Sequence, residues 1–130
     1  HTHREKALAA AEQKAANRLT EAERKAAVKR AAQMLAEKTA HFAKEMGVTY
    51  GRITIREQKT RWGSCSSAGN LNYNWKLVLM PERVMDYVVI HELAHQKEMN
   101  HSARFYAVVA QQMPDYKVWQ SWLKEHGREY

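Results

Sequence analysis

The chain has 130 residues, 45% of them hydrophobic, a single cysteine, and a net charge of +7 from 21 Lys and Arg against 14 Asp and Glu. That size gives one domain with a modest core. The lone Cys65 excludes an internal disulfide and fits a reducing, cytoplasmic setting, and neither a membrane span of roughly 18 apolar residues nor a signal-type leader is expected.

Residues 4–46 are rich in Ala, Glu, Lys and Arg and contain neither Gly nor Pro, so they are predicted helical. Thr20-Glu21-Ala22-Glu23 has the spacing of a capping box, which starts a long helix at Glu21 after a break near Asn17 to Thr20. Val28, Ala31, Leu35, Phe42 and Met46 then form its apolar stripe, and Gly47 suits its stop. The first helix, over residues 4–17, carries only Ala and Leu8 on its apolar side. Residues 1–19 are therefore read as a helical extension of a domain over residues 20–130.

Residues 48–80 change character. Val48, Tyr50, Ile53 and Ile55 signal one strand, Arg61-Trp62-Gly63-Ser64-Cys65 a second, and Leu71, Tyr73 and Trp75 a third. Ser66-Ser67-Ala68-Gly69-Asn70 is turn chemistry. A small antiparallel three-stranded sheet is expected, with residues 76–80 either extending its third strand or leading into the next helix. That helix places Pro81 in its first turn. Residues 84–94 are apolar nearly all round, the mark of a buried helix. Met99-Asn100 is expected to end it, with Asn100 in a left-handed conformation. Ser102 and Asp115 are positioned to cap two C-terminal helices, the last ending near Gly127.

The buried helix carries His91-Glu92-Leu93-Ala94-His95. Histidines four residues apart share a helix face and can share a metal ion, and Glu92 can point toward a water on it. His101, ten residues after His91, follows the helix end, where the chain can fold back to supply a third nitrogen. Three protein ligands and an open fourth position are the pattern of a catalytic zinc site. Such a site activates water near neutral pH, and Glu92 can take the proton and hand it to a leaving amine. Zinc best suits imidazole donors, although other divalent ions accept them.

The sequence resembles the YgjP-like zinc metallopeptidase family, a relative of the SprT-like and WLM metallopeptidases. The matching stretches are Arg61-Trp62-Gly63-Ser64-Cys65-Ser66-Ser67, Gly69-Asn70-Leu71, Asn74-Trp75, Tyr87-Val88-Val89-Ile90-His91-Glu92-Leu93-Ala94-His95 and Met99-Asn100-His101-Ser102. Phe105 and Pro114-Asp115-Tyr116 follow, so the likeness spans about residues 20–127. It implies an α+β, zincin-like domain acting on polypeptides, with one zinc ion per chain on His91, His95 and His101 and Glu92 as catalytic base. Glu98 stands where metzincins place glycine, which speaks against that class.

Around this centre several readings stay open. Trp62 is either a core anchor or, with its strand, part of a cleft wall that pairs with an extended peptide. Tyr73, Arg104, Tyr106 and Asn100 are unranked candidates for touching substrate or its oxyanion. Cys65 is a small packing residue or a fourth metal ligand, and Met80, Met99 and Met113 are packing residues. His1-Thr2-His3 is an incidental terminus or a copper or nickel chelator. Arg52, Arg56, Lys59 and Arg61 form either a solvated strand face or a phosphate contact. The basic charge leaves two other functions to weigh. One is a metal-dependent phosphohydrolase acting on nucleotides, against which the absence of a Gly-rich phosphate loop counts. The other is a protease acting on DNA-bound proteins, for which no nucleic-acid-binding motif is present.

Overall fold

The computed structural model describes residues 19–59 and 61–130. The expected helix over residues 4–17, the extension it belongs to and the His1-Thr2-His3 chelator lie outside them. Helix α1, Glu21–Met46, begins on the capping box expected for it. The Thr20 hydroxyl accepts from the Glu23 amide at 3.1 Å, and the Glu23 carboxylate accepts from the Thr20 amide at 3.3 Å. Gly47, at φ 68°, turns the chain out of the helix. The buried stripe is Ala27, Ala31, Leu35, Thr39, Ala43 and Met46, with Val28 and Phe42 half-buried at its flanks. Its small residues let α1 lie close on the helix beneath.

Strands β1 (Ile53–Arg56), β2 (Gly63–Cys65) and β3 (Leu71–Asn74) form a sheet in the order β1-β3-β2. The sheet is mixed rather than antiparallel throughout. β2 and β3 make an antiparallel pair around a turn with Gly69 at φ 86°, whereas β1 and β3 run parallel, Ile53 opposite Leu71. The reason lies between β1 and β2. That connection crosses the far end of β3, so β3 inserts between the two strands that precede it. Buried Asn74 pins the crossing, its side-chain amide donating to the carbonyls of Gln58 at 2.8 Å and Arg61 at 3.2 Å. Glu57, in the same connection, accepts from Trp75 Nε1 at 2.7 Å and pairs with Arg24 of α1.

The Asn74 side-chain oxygen accepts from the Lys76 amide and opens a 3-10 helix, Trp75–Leu79, which is neither an extension of β3 nor part of the next helix. Helix α2, Glu82–Ala94, follows, with Pro81 at its N-cap position. Residues 84–90 are all buried, between α1, β2 and the two helices after it. Lys38 of α1 bridges to Glu82 and Asp86 of α2 at 2.8 and 2.6 Å. α2 ends at Ala94, well before Met99-Asn100. The amides of His95, Gln96 and Lys97 bond to carbonyls three residues back, which tightens the chain into turns. Among the described residues no non-glycine residue has positive φ, so Asn100 does not take the left-handed conformation.

Ser102 caps α3, Ala103–Gln112, by accepting from the Phe105 amide at 3.3 Å. Asp115 stands at the N-cap of α4, Tyr116–His126, without capping it. Its carboxylate is taken by Arg83 at 2.8 Å and Trp119 Nε1 at 3.1 Å, which ties α4 to α2. Gly127, itself helical, leads into a last 3-10 turn, Gly127–Glu129. Among the described residues no helix is long and apolar enough to cross a membrane.

Candidate metal centre

α2 sets His91 and His95 one turn apart, and the tight turns after Ala94 bring His101 back beside them. His91 Nε2 and His101 Nε2 lie 3.2 Å apart, and one nitrogen from each of the three rings lies within 4.8 Å of the others. Two nitrogens bound to one tetrahedral zinc at about 2.0–2.1 Å are roughly 3.3 Å from each other, so this donor set fits such an ion.

The Nδ1 atoms of His91 and His95 each have a partner. His95 Nδ1 lies 3.2 Å from the Glu98 carbonyl, which can only accept, so Nδ1 carries the proton and Nε2 keeps its lone pair. His91 Nδ1 lies 3.2 Å from the Tyr87 hydroxyl, one turn earlier on α2. Burial, and then the neighbouring His95 and His101, hold the His91 imidazole well below its ordinary range, at about 4. Burial likewise lowers His95. Both rings therefore stand neutral at pH 7, ready to donate. Phe105 of α3 lies under the three rings, stacked on His95 at 4.5 Å and edge-on to His91 at 4.8 Å and His101 at 5.0 Å.

Glu92 is 6% exposed. Burial pushes its carboxyl up to about 8, against the pull of the Arg61 charge. The carboxylate fits against β2 because residue 63 is glycine. A Cβ there would sit 3.0 Å from Glu92 Cγ, Glu92 Oε2 and Val88 Cγ1. The wall of the cleft is thus a strand whose backbone approaches the acid directly.

The histidines and Glu92 open into a cleft of about 500 Å³, lined on one side by residues 61–65 and elsewhere by Tyr87, Val88, Met99 and Leu123. Trp62 belongs both to this wall and to the packing, since its indole lies against Gly127. Cys65 also lines the cleft; burial, then the Glu92 charge, raises its thiol. Met99, read as a packing residue, is 53% exposed at the cleft, while Met80 and Met113 are buried as expected.

Three sequence candidates lie elsewhere. Tyr73 is buried under the sheet, its hydroxyl 3.0 Å from the Thr39 hydroxyl of α1. Arg104 is exposed on the first turn of α3 and does not line the cleft. Tyr106 stacks on Tyr116 at 5.7 Å behind His101 and does not line it either. The sequence reading passed over Tyr87, Phe105 and Asn74 as supports of the site. The helical spacing of Tyr87 to His91 was a usable signal, while the reach of Asn74 across the sheet left none.

Two solved structures share this architecture. The metallopeptidase zymogen abylysin of Pyrococcus abyssi superposes with a TM-score of 0.64 at 24% identity, covering 72% of this chain and 96% of its own. The metallopeptidase zymogen jannalysin of Methanocaldococcus jannaschii gives 0.56 at 19% identity, covering 65% and 90%. A search of curated proteins found no match. The fold is therefore one that metallopeptidases use. The model of the YgjP-like metallopeptidase domain matches residues 1–126, and the chain belongs to that family. It is a metal-dependent hydrolase of the metallopeptidase class.

Proposed function

We propose that residues 20–130 form a zinc peptidase domain in which His91, His95 and His101 hold one zinc ion and Glu92 is the general base. The observation that carries this reading is the convergence of three imidazoles beside a buried carboxyl in one cleft. A zinc ion held there supplies Lewis acidity to a water and to a peptide carbonyl.

The chain's own residues do the rest. Glu92 removes a proton from the attacking water and delivers it to the leaving amine nitrogen. A carboxyl raised toward neutrality both takes and releases a proton easily. Tyr87 and the Glu98 carbonyl orient the rings of His91 and His95. β2 is an edge strand whose residues line the cleft, so an extended, unfolded polypeptide can pair with it. Trp62 and Leu123 give that polypeptide an apolar contact at one end. The free Cys65 thiol supports a reducing compartment such as the cytoplasm.

Zinc content and cleavage of a casein-like unfolded protein, measured on wild type and Glu92→Gln, test the proposal. One zinc per chain is expected in both, with cleavage by the variant reduced about 10²–10⁴-fold, the usual worth of a general base. Cleavage by Glu92→Gln at the wild-type rate would overturn it.

A further inference from the structure

Among the described residues, Arg61 contributes the only guanidinium or ammonium group to the cleft lining. Arg24 pairs with Glu57, Arg83 with Asp86 and Asp115, and Arg56 donates to Asn72, while Arg30, Arg52 and Arg104 lie outside the cleft lining. Arg61 is exposed, and its guanidinium has no hydrogen bond or ion pair among the described residues. Glu92, the one carboxylate in the lining, is buried against Gly63, so it feels the charge of Arg61 without pairing with it.

The base of this side chain is fixed. The Arg61 carbonyl accepts from the buried Asn74 side chain at 3.2 Å, and the next carbonyl, of Trp62, accepts from the Asn74 amide at 2.9 Å. Asn74 is 2% exposed. A buried polar residue thus spends its side-chain and backbone donors on presenting an exposed cation at the mouth of the cleft. Arg61 stands two residues before Gly63, and Gly63 touches Glu92. Its Cα therefore lies within about 7 Å of the Gly63 Cα, the span of two extended residues. That is the distance between same-face side chains, two residues apart, of an extended peptide lying along β2.

We infer that Arg61 is a specificity-determining residue that binds a carboxylate on the substrate, about two residues from the bond to be cut. A guanidinium fork meets a carboxylate through two parallel hydrogen bonds, and its planar geometry favours that group over other anions. The carboxylate belongs either to an acidic side chain inside a polypeptide or to a free C-terminus. The inference rests on the peptidase reading for the nature of the ligand, but its test does not require turnover.

Binding of fluorescent peptides to zinc-loaded Glu92→Gln protein would be followed by anisotropy, using three peptides. One is neutral and amidated, one is amidated with a central Glu, and one is neutral with a free C-terminus. At least one anionic peptide should bind about tenfold tighter than the neutral one, the scale of one charge-assisted contact, and the one preferred identifies the source of the carboxylate. Adding Arg61→Glu should abolish this preference and favour a Lys-bearing peptide, whereas Arg61→Lys should keep part of it. Arg52→Glu makes the same charge change outside the cleft lining and should leave the preference in place.

Equal binding of all three peptides would overturn the inference, as would equal effects of Arg61→Glu and Arg52→Glu. Casein cleavage by the wild type separates the two claims. Carboxylate selectivity without cleavage would sink the peptidase reading alone, and cleavage without selectivity would sink the role of Arg61 alone.

Discussion

Replacing Glu92 with glutamine should stabilise the metal-free protein, although it removes the proposed base. Burial carries the Glu92 carboxyl from an ordinary 4.5 to about 8. The folded protein therefore keeps a proton that the unfolded chain has already released, and stability is lost as pH rises from 4.5 to about 8. At about 1.4 kcal/mol per pH unit, the full loss is about 5 kcal/mol, of which about 3 kcal/mol has accrued at pH 7. Glutamine has the same shape and never ionises, so it avoids this loss. His91 and His95 are present in both proteins, and their contributions cancel in the comparison. Thermal unfolding followed by circular dichroism in chelator, at pH 4.5, 7 and 8.5, is the assay. The two proteins should melt together at the lowest pH, with Glu92→Gln about 10 °C higher at pH 7. The gap should widen further at pH 8.5. With zinc added it should shrink, because a nearby cation favours the ionised carboxylate. A gap independent of pH, or a variant that melts lower at pH 7, would refute the argument that Glu92 is buried at the expense of its charge.

Two further substitutions test how the site is built. Gly63→Ala places a methyl group 3.0 Å from the Glu92 carboxylate; kcat on an unfolded protein should fall about 10²-fold, the cost of displacing a catalytic group, while zinc content stays at the wild-type level. Tyr73→Phe leaves the Thr39 hydroxyl buried without its partner, so denaturant unfolding should register a loss of about 1–3 kcal/mol with kcat unchanged. A large fall in kcat there would return Tyr73 to the reaction.

The elements legible in the sequence were those whose partners are close along the chain. The capping box at Thr20, the Ser102 cap and the His91/His95 face each depend on residues three or four apart, and helix geometry fixes such pairs without help from the rest of the fold. Asp115 shows the limit of that reasoning: it stands where a cap belongs, but Arg83 from another helix holds its carboxylate. The end of α2 was misplaced for a related reason, since the turns that close it leave no mark as plain as a glycine.

The sheet and the cleft required the folded chain. Alternating residues announced three strands, but period-two patterning does not say which strands pair or in which direction. That β3 runs parallel to β1 follows from the crossing between β1 and β2, which Asn74 secures from the far end of β3 through Gln58 and Arg61. Tyr73 and Trp62 looked alike as aromatic candidates, but the pleat turned Tyr73 into the core against Thr39, while Trp62, ahead of β2, lines the cleft.

By itself the sequence determined the helix that sets His91 and His95 on one face with Glu92 beside them, because a helical repeat converts spacing directly into position, whereas the return of His101 depends on the turns that follow. Tertiary structure alone decided what faces that group: Gly63 against the carboxyl, Phe105 beneath the rings and the exposed Arg61 at the mouth of the cleft. These meet only through packing between elements distant in the chain, where no local periodicity records the contact.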